Sequence, residues 1–297
     1  MNNYVRNGTD VVSATGHLAV MSRSDGEVPV PDPLLVRATV VSHDHVADRY
    51  WHLRLAAPEI ATVAQPGQFL MLTIARETEV GPVLPRPMAI YGVDLDGGIV
   101  DVMYGVVGAG TRRLTTFRPG EILLTVGPLG RGFVVRQDTD RILLMGRGIG
   151  TCSLTSLAFE AQARGIDAVA VDSARNAHAL IADKAYRAAA VRRVIQVTDA
   201  DGTSDPRELR KVLTEEFGLQ PPQQIFVCGS NRLIRLSTEL GDEWGAEVQA
   251  SLEAHMACGL GYCHGCSSGQ RTGESEAPLI CRDGPVFEWA SGPGVQA

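Results

Sequence analysis

The segment HMACGLGYCHGC (residues 255–266) sets Cys258, Cys263 and Cys266 within nine positions, and Cys281 follows after fourteen more residues. Four of the chain's six cysteines thus form a C-x4-C-x2-C-x14-C array, while Cys152 and Cys228 stand apart. A thiol quartet this tight constrains the fold around it, because the backbone must bend to bring four side chains to one place. Disulfide bridges, a zinc site and an iron–sulfur cluster are the competing chemistries. Six cysteines in 297 residues, four of them near one end, do not make a secreted disulfide scaffold, and a local metal site is favoured.

Spacing separates the two metals. Structural zinc typically takes its ligands as two C-x2-4-C hooks, one from each side. Here one loop supplies three thiols and the fourth arrives alone, the plant-type ferredoxin arrangement that wraps a [2Fe–2S] cluster. Gly259, Gly261 and Gly265 allow backbone to approach inorganic sulfide, so that amide N–H groups stabilise the charge added on reduction. His264 lies inside the loop, but a Rieske centre needs two histidines, so His264 is read as a non-ligand. The contrasting reading is a zinc-stapled, colourless binding module.

The rest of the chain has two grammars. Residues 34–136 hold short apolar, β-branched runs (LLVRATVVS, RYWHLRLAA, GQFLMLTIA, GGIVDVMY, GEILLTVG) punctuated by Gly and Pro, which predicts a small antiparallel barrel. From about 140, strand candidates 141–145, 167–171, 193–197 and 224–228 alternate with helical stretches near 178–190, 206–217 and 231–241. Leu154, Leu157, Ala158 and Ala161 recur at i, i+3, i+4, i+7, marking another helix. Such alternation predicts a parallel sheet with crossover helices. The resulting fold class is multidomain β plus α/β: a tail (1–33), an antiparallel β-barrel (34–136), a parallel-sheet α/β domain (137–247) and a small cysteine-cluster domain (248–297). The last fifty residues read as irregular text. A net charge of −7 argues against nucleic acid as a partner. No apolar run approaches the ~18 residues of a membrane span, and the first 33 residues lack a signal-peptide pattern, so a cytoplasmic protein is expected.

A cluster that moves single electrons needs a converter to two-electron donors, and a flavin is one. LPRPMAIYG (84–92) brings Arg86 to the start of a strand, and GVVGAGTRRL places Gly108, Gly110 and Thr111 before a short helix, a pattern suited to phosphate. At this point the order of motifs resembles the electron-transfer subunits of type-B dihydroorotate dehydrogenases, in the ferredoxin–NADP reductase superfamily. The resemblance rests on Arg86-Pro87-Met88-Ala89-Ile90, Gly108-Ala109-Gly110-Thr111, GPLGRGF (127–133), GRGIG (146–150), VCG (227–229), SLEAHMACGLGYCHGC and CRDGPVF (281–287). It implies that these three domains are flavin-binding, nucleotide-binding and [2Fe–2S] units in that order, with FAD held by Arg86, Pro87, Met88 and Ala89 and pyrophosphate contacts at Gly108, Gly110 and Thr111. It also implies NAD(P)H bound at Gly146, Gly148, Gly150 and Cys228, and a [2Fe–2S] cluster on Cys258, Cys263, Cys266 and Cys281. The implied partner is an FMN-containing dehydrogenase subunit in a hetero-oligomer.

Several positions depart from that pattern. Ala89 stands where a serine hydroxyl commonly meets flavin N5, a hydrogen bond of about 1 kcal/mol. Tyr104-Gly105 replaces a Tyr-Arg pair, removing a cation. Arg147 puts a long side chain into the glycine turn, either against the nucleotide or clasping its phosphate. Ser230 follows Cys228-Gly229 in place of proline, and Asp172-Ser173 stands where glycine helps admit the ribose. Two alternatives follow: a paralogue serving another redox enzyme, or a subunit that keeps its cofactors without using NAD(P)H. Cys152 and Cys228, at predicted strand ends, are read as buried inert thiols rather than a nucleophile or redox pair.

Overall fold

The computed structural model describes residues 17–19, 30–76, 78–79, 84–269 and 276–290. Its first body is a closed antiparallel barrel, in the order β2 (Leu34–Ala47), β3 (Tyr50–Ala56), β6 (Ile99–Gly105), β5 (Arg86–Asp94), β4 (Phe69–Leu72), β7 (Ile122–Leu129). Alternation explains the closure: Leu53 and Leu55 of β3 face inward and pair in register with Val102 and Val100 of β6. Two short helices plug the barrel, α1 (Pro58–Ala61) through Ile60 and α2 (Ala109–Leu114) through Leu114.

The second body is a seven-stranded sheet. Its parallel core runs β12 (Glu247–Ser251), β11 (Gln224–Cys228), β8 (Arg141–Arg147), β9 (Asp167–Ala174), β10 (Arg193–Thr198). β13 (Val286–Ala290) adds antiparallel to β12, and β1 (His17–Ala19) adds antiparallel to β13. The expected tail otherwise lies mostly outside the described residues. Helices cover both faces, as a buried parallel sheet requires. Ile142 and Leu144 of β8 pack toward α3 (Cys152–Ala163) and α4 (Asp183–Ala188), and Leu143 and Met145 toward α5 (Pro206–Phe217) and α6 (Asn231–Trp244).

Local chemistry sets the helix ends. Asp205 caps α5 by accepting from Arg207 N–H at 2.8 Å, with Pro206 at the first helical position. Gly245, at φ +67°, ends α6 in the left-handed region. The 178–190 helix is shorter than expected: a 3-10 turn at Ala177–Ala179 precedes α4, whose start is fixed by Ala182 N–H donating to buried Asp172 Oδ2 at 3.2 Å. The last fifty residues are more ordered than they read. Their strands β12 and β13 belong to the large sheet, and buried Gln249 of β12 ties that sheet to Val134 through both its amide atoms. Among the described residues, no helix is long and apolar enough to cross a membrane.

Candidate functional site

The cysteine loop runs between β12 and β13 and lies on the barrel wall. Gly259 and Gly261 adopt φ +72° and +81°, and a Cβ on Gly259 would fall 2.5 Å from Met71 Cγ, so only glycine fits there. The thiols come in two pairs. Cys258 Sγ and Cys263 Sγ are 3.4 Å apart toward the surface, while Cys266 and Cys281 are buried, with Cys281 N–H donating to Cys266 Sγ at 3.4 Å. Leu260 N–H donates to Cys258 Sγ at 3.4 Å. Burial opposes ionisation of Cys258, but N–H groups of Leu260, Cys263 and Tyr262 together bring its thiol down to about 7. Cys281 is pushed up to about 12, by burial first and then by Cys266. Among the described residues the two pairs do not close into a single metal-holding group. Two thiol pairs with N–H groups aimed at sulfur fit two irons taking two thiolates each. His264 instead faces Glu276 at 4.0 Å.

The barrel wall under this loop is β4, whose neighbour is β5. Met71 pairs in register with Pro87, Leu72 with Arg86 and Phe69 with Ala89. Arg86 Nη1 donates to Leu84 O at 2.6 Å, and its guanidinium lies against Gly110, where a Cβ would come 2.6 Å from Arg86 Nε. Thus β5 and the α2 turn meet at Arg86 and Gly110. Thr111 Oγ1 accepts from the N–H groups of Val107 and Gly108 at 2.9 and 3.1 Å, holding the turn's backbone, while Gly108 faces open space. The cation absent at Gly105 has a neighbour in its place: Arg49 Nε lies 3.5 Å from where a Cβ on Gly105 would sit.

Beside the barrel lie the carboxyl ends of β8–β12, the edge at which such sheets take ligands. Gly146 and Gly150 are required by packing, since added Cβ atoms would meet Thr151 Cα at 2.7 Å and Gly229 Cα at 2.6 Å. Gly148, at φ +55°, lies by the barrel's Tyr50 hydroxyl. Thr151 Oγ1 and Asp172 Oδ1 are buried there without a partner among the described residues. Arg147 neither projects into solvent nor leaves the turn bare. Its Nη1 donates to Ser173 Oγ at 3.0 Å and its Nη2 to Asp199 Oδ2 at 2.5 Å. Asp199 Oδ1 also accepts from Ser204 Oγ at 2.5 Å and from Arg232 Nη2. Burial works against the Asp199 carboxylate, but the Ser204, Arg232 and Arg147 donors outweigh it and hold the carboxyl well below its ordinary range.

A family model described as the iron–sulfur cluster binding domain of dihydroorotate dehydrogenase B matches residues 253–291. The dihydroorotate dehydrogenase B (NAD(+)) electron transfer subunit of Geobacillus thermodenitrificans is 32% identical over 253 residues, spanning 84% of this chain and 95% of the relative. That of Bacillus velezensis is also 32% identical, with the same shares covered. This chain belongs to the family of dihydroorotate dehydrogenase B electron-transfer subunits. Its fold is also that of solved reductases. An NADH-dependent reduced ferredoxin–NADP oxidoreductase superposes with a TM-score of 0.71 at 22% identity, over 85% of this chain and 88% of the other. A ferredoxin–NADP+ reductase from Neisseria gonorrhoeae with bound FAD and NADP gives 0.56 at 15% identity, over 71% and 92%.

Within this electron-transfer subunit the structure pairs Cys258 with Cys263 and Cys266 with Cys281, and among the described residues no three of these thiols close into a metal-holding group; separately it sets Arg86 against Gly110 and Thr111 against Gly108. Cys228, at the end of β11, is only 1% exposed, its Sγ 3.6 Å from Ser153 Oγ, and burial pushes its thiol up to about 12. Burial likewise raises Cys152 well above an ordinary thiol, which disfavours nucleophilic chemistry at either residue. Sequence reasoning passed over Glu253, two residues beyond β12. It is exposed at the surface, and desolvation by the surrounding protein raises its carboxyl above the ordinary value. Its charge reaches both Cys152 and Cys228.

Proposed function

We propose that the chain carries electrons between a nicotinamide nucleotide and the catalytic subunit of a dihydroorotate dehydrogenase, using FAD on the barrel and a [2Fe–2S] cluster on Cys258, Cys263, Cys266 and Cys281. The observation that carries this reading is the seating of Gly259 on Met71, whose register partner is Pro87. The thiol loop and the Arg86–Ala89 stretch therefore share one wall, a span suited to electron transfer without a carrier between them. FAD supplies the exchange between hydride pairs and single electrons.

The chain's own residues bind and orient. Arg86, Pro87 and Ala89, with the backbone of Met88 whose side chain sits in the barrel core, would hold the flavin, and open Gly108 with Gly110 and Thr111 would take its pyrophosphate. N–H groups of Leu260 and Cys281, aimed at Cys258 Sγ and Cys266 Sγ, would stabilise the sulfur charge of a bound cluster. Gly146, Gly148 and Gly150 shape the nicotinamide crevice, with Cys228 behind it. No general acid or base is needed here, because proton chemistry on dihydroorotate belongs to the partner. That partner carries FMN and docks over the cluster loop, where Tyr262 is 85% exposed. Segments 34–136, 137–247 and 248–297 serve as flavin, nucleotide and cluster units. Six cysteines with no disulfide among them suit the reducing cytoplasm.

The test is an anaerobic absorption spectrum followed by NADH titration. Flavin and cluster bands that bleach with NADH, together with co-purification of a flavin-bearing dehydrogenase subunit, are expected. Zinc with no visible bands would sink the reading.

A further inference from the structure

Arg147 is the residue most out of place in a glycine turn, and its side chain takes an unusual course. It leaves the end of β8, passes Ser173 and Ala174 O at the end of β9, and reaches Asp199 just past β10. Three adjacent strand ends are thus spanned by one guanidinium, directly across the edge where a dinucleotide binds. The side chain is 20% exposed, so it is reachable from that edge.

Asp199 does not depend on Arg147 alone. Its other oxygen accepts from Ser204 Oγ and Arg232, and Arg232 Nη2 lies 3.3 Å from Ser204 Oγ as well. If Arg147 swings away, Asp199 keeps a cation and a hydroxyl, so no buried charge is stranded. Exchanging one carboxylate for a doubly charged pyrophosphate then favours the guanidinium, which matches phosphate oxygens with two parallel N–H donors.

We propose that Arg147 is a movable phosphate clamp, resting on Asp199 in the free protein and transferring to the pyrophosphate of a bound nucleotide. This rests on the reading of the β8–β12 edge as a nicotinamide site, and it assigns to this chain a side-chain contact where a glycine turn offers only backbone. Asp199 is the placeholder anion, and Ser173 and Arg232 frame the exchange.

The experiment measures ADP and adenosine binding to the FAD- and cluster-loaded protein by calorimetry, alongside NADH reduction of the flavin. Arg147→Gln is expected to weaken ADP at least about tenfold, as loss of a charged hydrogen bond implies, to leave adenosine unchanged and to flatten the salt dependence. Asp199→Asn, which loosens the resting partner, is expected to tighten ADP several-fold. Arg147→Lys keeps the charge without the fork and is expected to fall between, which guards against a misfolded glutamine variant. Equal or tighter ADP binding by Arg147→Gln overturns the clamp, and leaves the nicotinamide reading standing if NADH still bleaches the flavin. Conversely, ADP binding that needs Arg147 in a protein whose flavin NADH never reduces upholds the clamp and sinks the nicotinamide reading.

Discussion

Asp172 shows how a single buried carboxyl links this site to stability. It is 1% exposed on β9, one oxygen accepts from Ala182 N–H, and the other has no partner among the described residues. Burial lifts its carboxyl from the ordinary 3.8 to about 6. The folded state therefore holds a proton that the unfolded chain has already released between these values. Stability from this group is full below about pH 4 and declines as pH rises to about 6, a loss of ~3 kcal/mol at most. Asp172→Asn is expected to raise urea-denaturation stability at pH 8 by about 1–3 kcal/mol, the gain fading toward pH 4. A gain that ignores pH would assign it to packing instead. Gly110 gives a second test. Alanine there would push its Cβ into the Arg86 guanidinium, so the flavin-to-protein ratio after gel filtration is expected to drop severalfold. The cysteine spacing was legible in the sequence because three of the four thiols lie in one loop, whereas the reading of Arg86 came only from the family resemblance. The Arg147–Asp199 pair was not legible, since the two lie 52 residues apart and only the parallel register of β8, β9 and β10 brings them together.

At the scale of elements, the cysteine loop acts as a joint. Cys266, Leu279, Ile280, Cys281 and Phe287 share one core with Leu143, Leu236 and Leu240 of the sheet and its helix, and with Met71 and Leu129 of the barrel. Gly259→Ala would both strain a φ of +72° and strike Met71, costing about 1–3 kcal/mol. Lower iron content per chain and slower flavin-to-cluster electron transfer by stopped flow are the expected results. Unchanged values would show that the loop can shift without loss. Barrel strands and the parallel strands β8–β11 matched their apolar runs closely, with β11 reproducing 224–228. β12 and β13 escaped notice because they carry polar side chains, such as Glu247 and Gln249 in β12 and Glu288 in β13, and Gln249 finds its partner only in the folded sheet. The helix expected over 178–190 lost its first turn to the Ala182–Asp172 hydrogen bond, a tertiary contact that alanine-rich propensity does not foretell.

At the scale of the molecule, barrel and sheet meet through contacts that set the flavin edge against the nucleotide edge. Thr155 Oγ1 of α3 donates to Tyr91 O of β5 at 2.7 Å, and Arg131 N–H, just past β7, donates to Gly284 O, just before β13, at 2.6 Å. Removing Thr155's hydroxyl with valine is expected to leave each cofactor bound while slowing NADH-dependent flavin bleaching, because only the relative placement changes; an altered cofactor content would refute that. Stripping iron with a chelator and reductant is expected to lower the melting temperature by at least about 5 °C, in line with metal binding that doubles as folding energy. The thiol loop is spliced between neighbouring strands of the largest sheet, so its inorganic cargo is also a fastener. A newly made polypeptide denied iron would stand ajar along that margin and fall to proteases before meeting any partner. The cell's stock of working enzyme would then follow its metal supply with no dedicated sensor.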